Sequence, residues 1–240
     1  IRDIDRFSGL VSGIGRLMPM PVEAIGVPRK MTNGQFQSHS ILQLQDIDAK
    51  AIDSYRHKIC QIMKWHGKPR FLHKHTGFAR LQYLSAIDES GHFVQVVRDG
   101  RAVAYSLLRV PWWSGTLDSW WWGNMPARYE EEYLRSNKDP LTLAAIVWKH
   151  LLDLSQEELK GFDNKKVMTI TYSDFVAAPM LWLEKICEHG QIDYSEVFIR
   201  RASRFSIRNA DNSWRKGLDR QQINMLEESL GPHLERHGFL

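Results

Sequence analysis

Cysteine is scarce in this chain. Two among 240 residues, Cys60 and Cys187, are too few for a disulfide framework or a cysteine-built metal cluster. Cys60 falls in a helical pattern and Cys187 among apolar residues, so both are expected to be buried thiols. Apolar runs are also short. None reaches the roughly eighteen residues of a membrane-spanning helix, so no membrane segment is expected. The opening Ile1-Arg2-Asp3-Ile4-Asp5-Arg6 is too charged for a signal-peptide core. No strong excess of one charge appears: 32 Lys and Arg against 28 Asp and Glu give +4 and an isoelectric point near 9.0. That bias suits anionic ligands and is too weak to argue for nucleic acid as a partner. Neither a Gly-x-x-x-x-Gly-Lys-Ser/Thr loop nor a set of magnesium-binding carboxylates is visible, which argues against a nucleotide kinase. Internal repeats and low-complexity tracts are absent too.

What is present is an ordinary globular composition, 43% hydrophobic, long enough for one large α/β domain spanning residues 1–240. Ile41, Leu44, Ile47, Ala51, Ile52, Tyr55, Ile59 and Ile62 recur at helical steps, predicting a long amphipathic helix that ends near Gly67-Lys68-Pro69. A short strand is expected at residues 70–73. Phe78, Leu81, Leu84 and Ile87 repeat the helical spacing, and residues 93–97 read as a buried strand before a helix over 101–110. Further helices are predicted at 141–159 and 176–189, the latter with Pro179 near its first turn, with a strand at 166–172 between them. Ile223, Leu226, Leu230 and Leu234 place a last helix before Gly238. Alternating strands and helices imply a three-layer α/β/α arrangement around a parallel sheet, with ligands at the strands' carboxyl ends.

Two features stand out against that background. The connection over residues 111–140 carries Trp112, Trp113, Trp120, Trp121 and Trp122. Long loops in compact domains tend to be functional, and Trp112 and Trp113 could floor a substrate site, with a local mini-core or an oligomer interface such as a homodimer as the alternatives. The second feature is Arg98 and Ser106, eight residues apart. An apolar strand delivers Arg98 into a turn that opens a helix, where backbone N–H groups, the helix dipole and a forked guanidinium converge on an anion. The alternative is that Arg98 pairs with a nearby carboxylate and Ser106 is an ordinary helix residue.

The stretch Val97-Arg98-Asp99-Gly100-Arg101-Ala102, with Ser106 beyond it, resembles the 3'-phosphate-binding strand and helix of sulfotransferases that use 3'-phosphoadenylyl sulfate (PAPS). Its pattern is closest to tyrosylprotein sulfotransferases and related bacterial enzymes. The resemblance implies the P-loop-NTPase-like sulfotransferase fold, PAPS as co-substrate with adenosine 3',5'-bisphosphate as product, and no metal. It also implies roles for particular residues. Lys74, followed nine residues on by Tyr83-Leu84-Ser85, matches the catalytic Lys of tyrosylprotein sulfotransferases, although the usual Lys-Asp-Pro or Lys-Thr-Pro is here Lys74-His75-Thr76. A cation there would stabilise leaving-group charge.

Two bases compete for the acceptor proton. Glu23, five residues before Pro28-Arg29, resembles the catalytic Glu segment of tyrosylprotein sulfotransferases and is preferred. His75 resembles the catalytic His of cytosolic members, which follows a strand led by Pro-Arg like Pro69-Arg70. Tyr172-Ser173-Asp174-Phe175 is similar to the family's Tyr-Glu-Asp-Leu, whose Tyr contacts the adenine end of the donor. Asn212-Ser213-Trp214-Arg215-Lys216-Gly217 resembles the carboxyl-terminal loop that closes over the 3'-phosphate, so Arg215, Lys216 and Gly217 join the donor-binding set.

The resemblance runs over residues 20–239 and lacks one part, the glycine-rich loop for the 5'-phosphosulfate. Arg6-Phe7-Ser8-Gly9 and Ser12-Gly13-Ile14-Gly15-Arg16 are pale substitutes. The expectation is that residues of a longer protein are missing here. The expected function is in-line sulfuryl transfer from PAPS to a hydroxyl on a carbohydrate, lipid, phenol or peptide. The alternative is a non-catalytic relative that binds carbohydrate or protein through the tryptophan-rich loop. Low cysteine content favours the cytoplasm.

Overall fold

The computed structural model describes residues 48–240 apart from Thr76 and Arg208. Glu23, Arg29, the glycine-bearing segments of residues 6–16 and the apolar positions Ile41, Leu44 and Ile47 lie outside the described residues. The described residues fall into two compact units, residues 48–90 with Trp121–Gly123, and Gly91–Trp120 with Asn124–Leu240.

In the first unit, helix α1 (Ala49–His66) starts where the Asp48 side chain accepts the Lys50 N–H, and it ends at Gly67. Its apolar stripe buries Ala51 and Tyr55 against helix α2 (Leu81–Ile87), which buries Leu81, Tyr83 and Ile87. Arg56 of α1 donates to the carbonyls of Ala86 and Ile87, satisfying acceptors that the end of α2 leaves without intrahelical partners. Cys60 is exposed, not buried as expected, because it faces away from that stripe. Residues 70–73 form no strand. Leu72 is 93% exposed and no neighbouring strand pairs with the segment among the described residues, so these four residues have neither a ladder nor a core to hold them as a strand.

The second unit is built on two parallel strands, β1 (Phe93–Val97) and β2 (Val167–Thr171), paired in register from Phe93 with Val167 to Val97 with Thr171. Both runs are rich in β-branched residues. The expectation of a fully buried β1 needs correction: Val97 is buried while Val96 is 56% exposed, so one face of the strand carries the packing. Helix α3 (Gly100–Leu107) follows β1, with Asp99 as N-cap accepting the Arg101 N–H. The 111–140 connection contains a 3-10 turn at Leu117–Ser119 and helix α4 (Ala127–Arg135).

Helix α5 (Pro140–Leu159) has Pro140 in its first turn and Asp139 as N-cap, and it is buried continuously over residues 141–150. A helix enclosed on every side is the centre of a core rather than a surface element. It packs on α3 and α4, and on helix α10 (Arg220–Arg236), which buries Leu226, Leu230 and Leu234. The helix predicted over 176–189 is two helices, α6 (Tyr172–Ala177) and α7 (Pro179–His189). Pro179 pushes the residue before it out of the helical region, and Ala178 accordingly sits at φ −140°, ψ 64°. Helices α8 (Glu196–Ala202) and the single turn α9 (Trp214–Gly217) complete the unit. The class is α/β, a parallel sheet with flanking helices. No helix among the described residues is long and apolar enough to cross a membrane.

Candidate functional site

The strand register builds the site. Val97 and Thr171 are partners, so the next residues, Arg98 and Tyr172, leave the sheet side by side, and the Arg98 guanidinium lies 4.7 Å from the centre of the Tyr172 ring. Two contacts hold the turn after β1. The Trp148 indole N–H donates to the Arg98 carbonyl at 3.0 Å, and Gly100 lies so close to that ring that a Cβ would come within 2.5 Å of it. Only glycine fits there.

The Arg98 side chain donates from Nε to the Asp211 carboxylate at 2.8 Å and from its terminal nitrogen to the Ala210 carbonyl at 2.9 Å. Pairing with a carboxylate was the alternative to an anion-ligand role for Arg98, and it is the arrangement that the structure shows.

Arg101, to which the sequence reading gave no role, organises the neighbourhood. It is buried and donates to Asp99, to Glu227 of α10 and to the Phe239 carbonyl, and it lies 4.7 Å from the Trp214 ring. Burial pulls its pKa down, but the hydrogen bonds and charges of Asp99 and Glu227 outweigh that and hold it above its ordinary value. Trp214 is buried and also carries the Arg215 guanidinium at 4.4 Å. Its turn is laid against α3: a Cβ on Gly217 would sit 1.9 Å from the Tyr105 hydroxyl. Tyr105 precedes Ser106, which is exposed on the last turn of α3. The second unit therefore gathers Arg98 and Tyr172 at the strand exits, and Ser106 and the Arg215-Lys216-Gly217 turn along α3. Aromatic stacking with arginine of the kind Arg101 makes has no sequence period, which is why spacing did not reveal it.

Lys74 and His75 belong to the first unit. Lys74 is exposed and His75 half-buried. The His75 ring lies 4.0 Å from that of His73, whose Nδ1 is 3.3 Å from the Tyr55 hydroxyl. Burial, followed by the charges of His73 and Arg80, pushes the His75 imidazole down to about 3. It is neutral at pH 7 and a weak base, poorly matched to proton abstraction there. In the second unit Trp112 is 48% exposed and Trp113 only 8%, so Trp113 packs inside the unit and Trp112 offers a ring face.

A second polar cluster lines a cavity of about 810 Å³ between α4, α5 and α10. Asp153 accepts from Arg128, Tyr129 and His233, and Lys149 is paired with Glu132 at 2.6 Å and bonded to Ser229. Burial would raise the Asp153 pKa, but the hydrogen bonds from Tyr129 and His233 and the His233 charge bring it below the usual carboxylate range. These charges neutralise one another across three helices, the pattern of a brace. No group of three or more His, Cys, Asp or Glu among the described residues is arranged to hold a metal ion.

The profile of the sulfotransferase family matches residues 21–196. Among solved structures, the sulfotransferase domain from the curacin biosynthetic pathway is similar at 14% identity and a TM-score of 0.45, over 82% of this chain and 79% of that one. No curated protein matches.

Proposed function

The chain belongs to the sulfotransferase family, and from that premise we propose that it transfers a sulfuryl group from PAPS to an acceptor hydroxyl. The observation that carries the reading is the Arg98 fork, set beside Tyr172 by the strand register and already engaging an anionic oxygen. A phosphate oxygen suits the same donors. Arg98, Ser106 and the Arg215-Lys216-Gly217 turn hold the 3'-phosphate, and Tyr172 offers its ring to the adenine end.

In the transfer the bond from sulfur to the bridging oxygen of the donor breaks as the acceptor oxygen bonds to sulfur. Adenosine 3',5'-bisphosphate leaves, and the acceptor proton passes to a base. Lys74 is proposed to stabilise the departing oxygen and Glu23 to take the proton. The low basicity of His75 argues for Glu23. The scheme requires no metal. The two thiols, Cys60 exposed and Cys187 buried, suit a reducing compartment, and we assign the reaction to the cytoplasm.

Calorimetry with adenosine 3',5'-bisphosphate tests the reading. Binding is expected, weakened in Arg98→Ala by roughly ten- to a hundredfold, the range for losing hydrogen bonds to a charged partner. Unchanged affinity in that variant would sink the phosphate assignment. A binding-only reading draws on the exposed Trp112 ring and predicts no bisphosphate binding at all.

A further inference from the structure

Arg98 already holds an anion, and that anion is part of the chain. The Asp211 carboxylate is 13% exposed and 2.8 Å from Arg98 Nε. The turn that delivers it is closed by its own bonds: the Asn209 side chain accepts the Asp211 N–H at 3.0 Å, and the Ser213 hydroxyl donates to the Ala210 carbonyl, the same carbonyl that receives Arg98. Both edges of the guanidinium used in the structure are therefore taken by residues 210 and 211. We infer that Asp211 is an internal competitor for the 3'-phosphate of the nucleotide, lowering the affinity of Arg98 for it and speeding its release. This rests on the reading of Arg98 as a phosphate ligand.

The physical basis is a contest for one fork. A terminal phosphate carries up to two negative charges and three acceptor oxygens, a carboxylate one charge and two oxygens, so phosphate displaces Asp211 but gains only the difference. As the nucleotide leaves, the carboxylate closes on Arg98 again, so the guanidinium is never left without an anion. Displacement also acts on the residues that follow. Asp211 lies three residues before Trp214, whose turn carries Arg215 and Lys216, so the exchange of partners at Arg98 is connected by a short stretch of backbone to the other cations assigned to the same phosphate. Tyr172 is not part of the contest, because its contact with Arg98 is through the ring.

Asp211→Asn keeps the shape and removes the charge, and Asp211→Ala removes the acceptor. Each is titrated with adenosine 3',5'-bisphosphate and with adenosine 5'-phosphate, which lacks the competing group, after melting curves establish that each variant is folded. Both variants are expected to bind the bisphosphate about tenfold more tightly than the unaltered chain, with slower dissociation in stopped flow and no change for the 5'-phosphate. Binding by the unaltered chain with equal or weaker binding in both variants overturns the inference and leaves the donor reading standing, because Asp211 would then be a brace that orients Arg98. A gain that appears equally for the 5'-phosphate also overturns it. No bisphosphate binding by any of the proteins overturns the donor reading and this inference together.

Discussion

Gly100 decides how closely the first helix of the second unit approaches its core. A Cβ there would meet the Trp148 ring at 2.5 Å, and that ring is fixed by its bond to the Arg98 carbonyl. Alanine favours a helix over glycine by about 1 kcal/mol, whereas forcing a methyl into a packed core costs about 1–3 kcal/mol. With the contact this short the clash wins. Gly100→Ala should destabilise the protein by about 2 kcal/mol in urea titration and weaken bisphosphate binding, because the Arg98 backbone moves with Trp148. As positions in the fold, Arg98 and Tyr172 at their strand ends and Ser106 in the helix after Arg98 were legible in the sequence. Arg101 and Asp211 were not. Glu227 is 126 residues from Arg101 and Arg98 is 113 residues from Asp211, and only folding chooses among the chain's distant carboxylates.

Among the elements, α4, α5 and α10 are joined through Asp153. Three donors from α4 and α10 converge on this one carboxylate of α5, which keeps it ionised below the usual carboxylate range. Replacing it leaves the largely buried Tyr129 hydroxyl and His233 ring without their acceptor charge, a loss of roughly 2–3 kcal/mol. Asp153→Asn should therefore lower the urea midpoint at neutral pH, while bisphosphate affinity changes little because the network shares no residue with the strand exits. A comparable loss of affinity would show that the brace also supports the site. The sequence reading identified α5 and α10 but missed α4, because its buried positions, Tyr129 and Tyr133, make a stripe too short to set a period. It also joined α6 to α7, since the periodicity continues across Pro179 although the backbone does not.

On the scale of the whole molecule, acid acts on the first unit through two histidines. His75 is held at about 3 and His73 is lowered as well, both by burial. An imidazole whose folded pKa lies below its unfolded value of about 6.5 contributes stability that is intact above that value and is lost as pH falls toward the folded pKa. Each such group removes about 1.4 kcal/mol per pH unit in that window. Hydrogen-exchange protection factors in α1 and α2, corrected for the intrinsic pH dependence of exchange, should therefore fall between pH 6.5 and 4.5, and His75→Gln should flatten that dependence. An unchanged slope in that variant would place the acid sensitivity elsewhere.

By itself the sequence determined the α/β class, the strand from Phe93 to Val97 and its continuation into Arg98, the long buried helix, and the family to which the chain belongs. These are local properties: periodicity, β-branching, caps and short motifs are written into consecutive residues. The tertiary structure alone decided the register that sets Arg98 beside Tyr172, the burial of Trp113 in contrast to Trp112, the failure of residues 70–73 to pair as a strand, and the carboxylate that Arg98 grips. Each of these depends on which distant surfaces meet, and that is chosen by the packing of the entire unit rather than by any window of the chain.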